Sequence, residues 1–310
     1  MFSRMSFPAR TLVLAAILAS AAACHWRSPV KPIVARKAAD TLSLPASVIN
    51  SHPDPETVRG ALDYALIQNE ALLVSAPKHE SLLETLCSQY IQYATLFVQP
   101  EAEAFQFSDA ARSQAAAARA LRLAERGKDL CWRGLEEEKG TAARLMTDPD
   151  GAARKFDGDD VPLLYWSAAA LTATLTASGA GRPELARDWK IVRALADRAI
   201  ALDPTWNRAA LHELMITVES QGPASGGTEE AARKHFTRAV DVQQGLSPGP
   251  FLALAMGAVR SKRDRAEFEK LLTQAAAIDP EKDPTRRLPA TVLRQRARVL
   301  LANIDRLMPR

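Results

Sequence analysis

His212 and Glu213 stand side by side in the chain. A zinc-activated water with a glutamate base would need a second histidine one helical turn further on, so that both imidazoles reach the metal from one face. Position 216 is Ile, and the constellation is incomplete. Asp148, Asp150, Asp157, Asp159 and Asp160 gather carboxylates within a short stretch. Their order lacks the ligand spacing of an EF-hand loop, and solvated turns account for them better. There is no G-x-S-x-G, no phosphate-cradling Gly-x4-Gly-Lys and no paired CxxC, and the five histidines show no ligand spacing. The expectation is a non-enzymatic protein that needs neither metal nor cofactor.

The aromatic residues say more. Adjacent side chains on a helix point about 100° apart, so Tyr165 and Trp166 are not both expected in one flat interface. One reading places them in a groove or channel, where phenol and indole supply apolar surface with a polar handle. The other buries both between helices. Tyr90, Tyr93 and Phe97 recur at helical spacing upstream and can join Tyr165 and Trp166 in lining an apolar cleft. Gly226 and Gly227 precede Thr228-Glu-Glu230, a structural loop feeding a helix: the glycines permit positive φ, Thr228 can cap, and the acids suit the helix dipole.

The elements that must position these residues are helical. Ala, Leu, Arg and Glu dominate while aromatics make up 6%, a bias toward helix and away from sandwiches or barrels. Period-3.6 stripes follow one another between Pro and Gly stops, with no sustained apolar–polar alternation. Glu56–Ser75, Glu80–Val98 (closed by Pro100), 108–138 (with an interruption at Gly127) and 161–177 (ended by Gly179-Ala-Gly181) read as helices. Ala196, Ala199 and Pro204, then Ala232, Phe236 and Ala239, then Leu272, Ala275 and Pro280 give three similar helix ends, their aligned alanines 199, 239 and 275 spaced near the tetratricopeptide period. The expected fold is all-α: about ten helices in stacked hairpins, an α-solenoid or a compact helical globule.

The N-terminus has the parts of an export leader over residues 1–23. Arg4 and Arg10 precede an uncharged apolar run from Thr11 to Ser20, too short to span a bilayer, and Ala21-Ala-Ala23 leads into Cys24. Small residues before a Cys resemble the lipobox of bacterial lipoproteins, with Ala21 where Leu is most frequent. Cys24 is the expected lipidated first residue, and His25 rather than Asp favours the outer membrane. Residues 24–53, with Pro29, Pro32 and Pro45 among them, read as a tether, and 54–310 as the helical domain. Cys87 and Cys131 remain. With a hairpin turning near residue 103 they would sit ~18 Å out of step along the axis, beyond disulfide reach, and two buried thiols are expected. The formal charge is +4 and falls by two when Arg4 and Arg10 leave, which makes no case for nucleic acid.

Pro162-Leu-Leu-Tyr-Trp166, Arg193-Ala-Leu-Ala-Asp-Arg-Ala-Ile-Ala-Leu-Asp-Pro204, Gly226-Gly227 followed by Ala231-Ala-Arg-Lys-His-Phe-Thr-Arg-Ala239, and Arg294-Gln-Arg-Ala-Arg-Val-Leu-Leu301 occur in that order. Together they resemble the TatT-component family of TRAP-transporter-associated lipoproteins over about residues 80–305. Leu171 stands where a second aromatic would be expected. The resemblance implies a periplasmic, lipid-anchored, tetratricopeptide-like protein. Its expected partner is the solute-binding component of a tripartite organic-solute importer, and its channel is expected to take a hydrophobic ligand. Homo-oligomers are also expected. A scaffold in envelope assembly with no small-molecule site is the rival.

Overall fold

The computed structural model describes residues 45–177 and 186–309, together with positions 34, 37 and 38. The leader, Cys24 and Gly179-Ala-Gly181 lie outside the described residues. Among those described there is no strand, and the fold is all-α.

The chain runs through α1 (Ala46–Ser51), α2 (Pro55–Ser75), α3 (Glu80–Tyr93), a π turn (Ala94–Val98), α4 (Gln99–Phe105) and α5 (Ala110–Lys139). The short α6 (Ala142–Leu145) and α7 (Pro149–Ala153) lead to α8 (Val161–Ala177) and α9 (Ala186–Leu202). Then follow α10 (Trp206–Glu219), α11 (Glu229–Val242), α12 (Gly249–Leu254), a second π turn (Ala255–Val259), α13 (Arg265–Ala277), α14 (Arg287–Ala302) and α15 (Ile304–Leu307). Side-chain caps fix the starts: Asp54 accepts from Glu56 N and Thr57 N, Asp109 from Arg112 N, Thr228 from Ala231 N and Asp264 from Glu267 N. Each satisfies amides the helix itself leaves unbonded. The aspartates between 148 and 160 do the same work, since Asp148 caps α7 and Asp157 and Asp160 form a reciprocal capping box before α8.

The first hairpin departs from expectation in an instructive way. Pro100 does not close its helix. It occupies the first turn of α4, where a missing N–H costs nothing, and the π turn before it carries the axis onward to Phe105. The connection to α5 is therefore residues 106–109. Cys87 lies roughly 18 residues back from Phe105 and Cys131 roughly 21 on from Ala110, a mismatch of about 5 Å along the axis. The two cysteines are bonded, their Cα atoms 5.1 Å apart, and the expected free thiols are corrected to a disulfide. Gly127 does not interrupt α5 either. A Cβ there would stand 2.9 Å from Ile91 Cδ1 and 3.1 Å from Tyr90 Cβ, so the glycine lets α5 approach α3 closely.

Three apolar cores follow the chain: one under α2–α5, one joining the end of α5 to α8–α10, one under α11–α15. Ala196, Ala199, Ala232, Ala239 and Ala275 are fully buried, as close helix contacts require. The arrangement closes on itself. Leu288 of α14 joins the first core. Arg287 Nη1 donates to Ser51 O at 3.4 Å, Arg306 Nη1 donates to Phe107 O at 3.1 Å, and Arg296 grips Glu103 through two 2.6 Å bonds. The segment expected to be tether up to residue 53 thus includes a packed helix, α1, with Ile49 buried. Among the described residues no helix is long and apolar enough to cross a membrane.

Candidate functional site

The closed ring of helices surrounds a cavity of about 920 Å³, within the range of small-molecule sites. Tyr165 and Trp166 both line it. Their rings meet edge to face with centroids 4.8 Å apart, and Tyr165 touches Trp206 at the same distance. The wall is concave, which is how two side chains about 100° apart on α8 can share it. Trp206 was not picked out from sequence. It follows Pro204 at a helix start and has no periodic partner, so only its tertiary contact with Tyr165 marks it.

The other aromatic candidates are placed elsewhere. Tyr90 and Tyr93 lie in the first core, outside the cavity wall. The Tyr90 hydroxyl donates to Glu70 Oε1 at 2.8 Å, and burial, with Glu70 adding to it, pushes that phenol up to about 12. Tyr93 Oη accepts from Arg119 Nη2 at 3.2 Å. Phe97 borders a separate groove of about 710 Å³ between α2, α4 and α14. Leu96 and the Glu103–Arg296 ion pair form the partition between groove and cavity, since all three residues border both.

Three backbone irregularities converge on the cavity. Both π turns reach its wall, through Thr95 and Leu96 and through Met256 and Gly257. At the start of α10, Asn207, Arg208 and Ala209 adopt φ of 46°, 58° and 64°, and the first two line the cavity. A left-handed conformation costs non-glycine residues on the order of 1–2 kcal/mol each. π turns and strained segments concentrate at functional sites.

Charge gathers at one end. Arg208 pairs with Asp283 at 2.7 Å. Arg286 Nη1 donates to Asn207 Oδ1 at 2.6 Å. Gln243 Nε2 donates to Arg208 O at 3.1 Å and more weakly to Glu213 Oε2 at 3.4 Å. Burial pushes the Glu213 carboxyl up, against the opposing pull of Arg286 and Gln243. Its neighbour His212 turns the other way, its Nδ1 2.8 Å from His235 Nδ1. Burial first, then His235 and Arg238, pulls the His212 imidazole down to about 4. Its folded value lies below its unfolded one, so the folded state binds fewer protons and stability falls as pH drops from about 6.5 toward 4. Urea unfolding at pH 7 and pH 4.5 should differ by about 2–3 kcal/mol through this group, and His212→Gln should flatten the difference; an unchanged slope would contradict the assignment.

The Gly226–Gly227 loop is built for support. Gly226 has φ 70°. Gly227 is not in the left-handed region, contrary to expectation; a Cβ there would collide with the Glu219 carbonyl, so the need is for close backbone approach.

A family model matches residues 51–308, that of the TRAP transporter T-component, TAtT. The chain belongs to the TRAP transporter T-component family. It is also 27% identical over 269 residues to a Treponema pallidum (strain Nichols) protein described as uncharacterized, covering 83% of this chain and 81% of that one. Membership gives the T-component an accessory role to a TRAP transporter, association with that transporter and an envelope or periplasmic location. That is a transporter part and not a known enzyme class.

Proposed function

We propose that this T-component holds a predominantly apolar small molecule in its central cavity and works beside the solute-binding component of its transporter, tethered to the outer membrane through lipid on Cys24. The observation that carries the ligand reading is the convergence of two π turns and a left-handed turn on one aromatic-walled cavity. Backbone irregularities of these kinds gather at functional sites, and here three of them border one space. Repeated helical hairpins of tetratricopeptide kind would explain the three aligned alanines and the curvature that closes the ring.

Partner association is supported by the outer face of α2. Tyr64, Ile67, Ala71 and Val74 form a stripe spaced 3, 4 and 3 positions apart, with Tyr64 71% and Val74 83% exposed. Exposed apolar stripes of this spacing suit a helical neighbour, either the solute-binding component or a second copy.

The ligand reading is tested with Trp166→Ala. Trp166 is only partly buried, so the variant should keep its helix content and melt within a few degrees of the parent. It should bind an apolar fluorescent probe such as N-phenyl-1-naphthylamine several-fold more weakly. A variant that simply unfolds, or one that binds the probe unchanged, would return Trp166 to the core.

A further inference from the structure

We propose that the outer face of α2 pairs with the same face of a second copy of this chain, antiparallel about a twofold axis that passes beside Gln68. The proposal rests on the reading of that face as a contact surface and commits it to one occupant.

Gly60, Tyr64, Ile67, Ala71 and Val74 are spaced 4, 3, 4 and 3 positions apart. Tyr64 is 71%, Ile67 70% and Val74 83% exposed. A helix seated on a globular core carries a broad apolar face, whereas a strict 3.5-residue seam fits one helical neighbour. α2 already spends its broad face on the first core through Leu62, Leu66 and Leu73. The seam is a second face, left uncovered by the described residues. Gly60 is an independent observation on it. Glycine weakens a helix interior, and Gly127 and Gly134 of α5 are explained by side chains of α3 and α8 that a Cβ would crowd. A Cβ at Gly60 would meet nothing within 4 Å. The bare backbone there is exposed and open to close approach from outside.

The seam complements itself only when run backwards. In a parallel pair Tyr64 would meet Tyr64 and Ala71 would meet Ala71, crowding one layer and leaving a gap in another. In an antiparallel pair Tyr64 packs on the second copy's Val74 and Ile67 on the second copy's Ala71. The twofold repeats both layers, each setting a larger side chain against a smaller one. Gly60 then lies under the second copy's Ala76–Pro77 turn, where the missing side chain leaves room.

Charge agrees with this register. One flank of the seam is neutral, with Ala61, Gln68 and Ser75. On the other, Glu70 comes near its own counterpart, but Arg126 Nε holds it at 2.7 Å and the Tyr90 hydroxyl donates to it at 2.8 Å. Two bare carboxylates are therefore not brought together. Lys78, with 73% of its side chain exposed, is carried toward the second copy's Asp63 and Glu56. Glu56 is exposed and forms no ion pair among the described residues. A twofold-symmetric fit of this kind favours a second copy over an unrelated partner.

Sedimentation equilibrium of the intact protein tests the proposal. A seam one helix wide is a small interface, so association is expected at ~1–100 μM, with the mass rising to twice the monomer and no further. Ile67→Glu should weaken association at least ~10-fold and keep the parent's helix content and Tm. Met146→Glu puts the same charge on a 37% exposed apolar site away from α2 and should leave association unchanged. A short bismaleimide should link Gln68→Cys to its counterpart. It should not link Thr57→Cys, whose counterpart lies more than ~30 Å away along the antiparallel pair. Linking at both positions, trimers or larger species, association that survives Ile67→Glu, or a monomer at every concentration each overturn the proposal. If the protein is monomeric, its binding to the purified solute-binding component separates the two readings. Binding lost in Ile67→Glu keeps the face as a contact surface for that component, and binding unchanged in Ile67→Glu removes the contact reading as well.

Discussion

Replacing Cys87 and Cys131 together by serine should cost the protein about 4 kcal/mol of stability, the chain-entropy value for a closed loop of 44 residues. For a body of this size that corresponds to a fall in Tm of roughly 8–16 °C. The bridge lies inside the first core, where both cysteines are fully buried, and it joins α3 to α5 beside the close contact at Gly127. Two serine hydroxyls there would add an unsatisfied polar penalty to the lost loop closure. Calorimetry of the parent with and without reductant, beside the double serine variant, checks this. A reduced parent that melts with the oxidised one would show that the bond contributes nothing. The bridge also fits the envelope location, since such bonds persist in oxidising compartments.

Arg193→Met should be comparably damaging, at about 3–5 kcal/mol and toward the lower end because Arg193 keeps 23% of its side-chain surface exposed. Glu219 is 5% exposed. Its Oε1 accepts from Arg193 Nη1 at 2.8 Å and its Oε2 from Thr228 N at 3.1 Å. Arg193 Nε also donates to Ser225 O at 2.5 Å. One guanidinium thus ties α9 to the end of α10 and to the loop holding Gly226 and Gly227. Methionine keeps most of the volume but strands a buried carboxylate. The double variant Arg193→Met, Glu219→Gln removes the stranded charge and should recover a good part of the loss. Denaturant unfolding of the three proteins decides it: an Arg193→Met protein as stable as the parent would mean the pair is dispensable.

Local signals carried far in this chain. The helix 161–177 was legible to the residue, because its start has Asp157-Gly-Asp-Asp160 as turn and cap, and α11 because Thr228 and two acids announce it. The alanines 199, 239 and 275 marked helix contacts, since size alone dictates who can sit there. What could not be read was geometry that depends on distant partners. Pro100 is a stop signal in isolation, and only the π turn before it lets the helix continue; that single misplaced turn separated Cys87 from Cys131. Tyr90 and Tyr93 share a periodicity with true wall residues, but whether such a stripe faces a core or a cavity is set by what packs opposite. Trp206 and Glu213 share α10, while Gln243 and Arg286 join them from two other segments, and no spacing rule links the three.

The joint between the C-terminal helices α14 and α15 and the first helices of the chain has a consequence for how the molecule is made. Its contacts join residues 236, 193 and 199 positions apart, whereas each apolar core draws largely on neighbouring helices. Long-separation contacts reward the chain only after a large loop entropy has been spent. The helices up to α13 can therefore pack on one another as the polypeptide emerges, leaving an open crescent whose inner aromatic face is wet. The cavity comes into being in the last step, when the C-terminal helices arrive and seal it. A chain truncated before Arg287 would retain most of its helices and most of its buried alanines, and would lose Pro289, Ala290, Leu293 and Arg296 from the cavity wall.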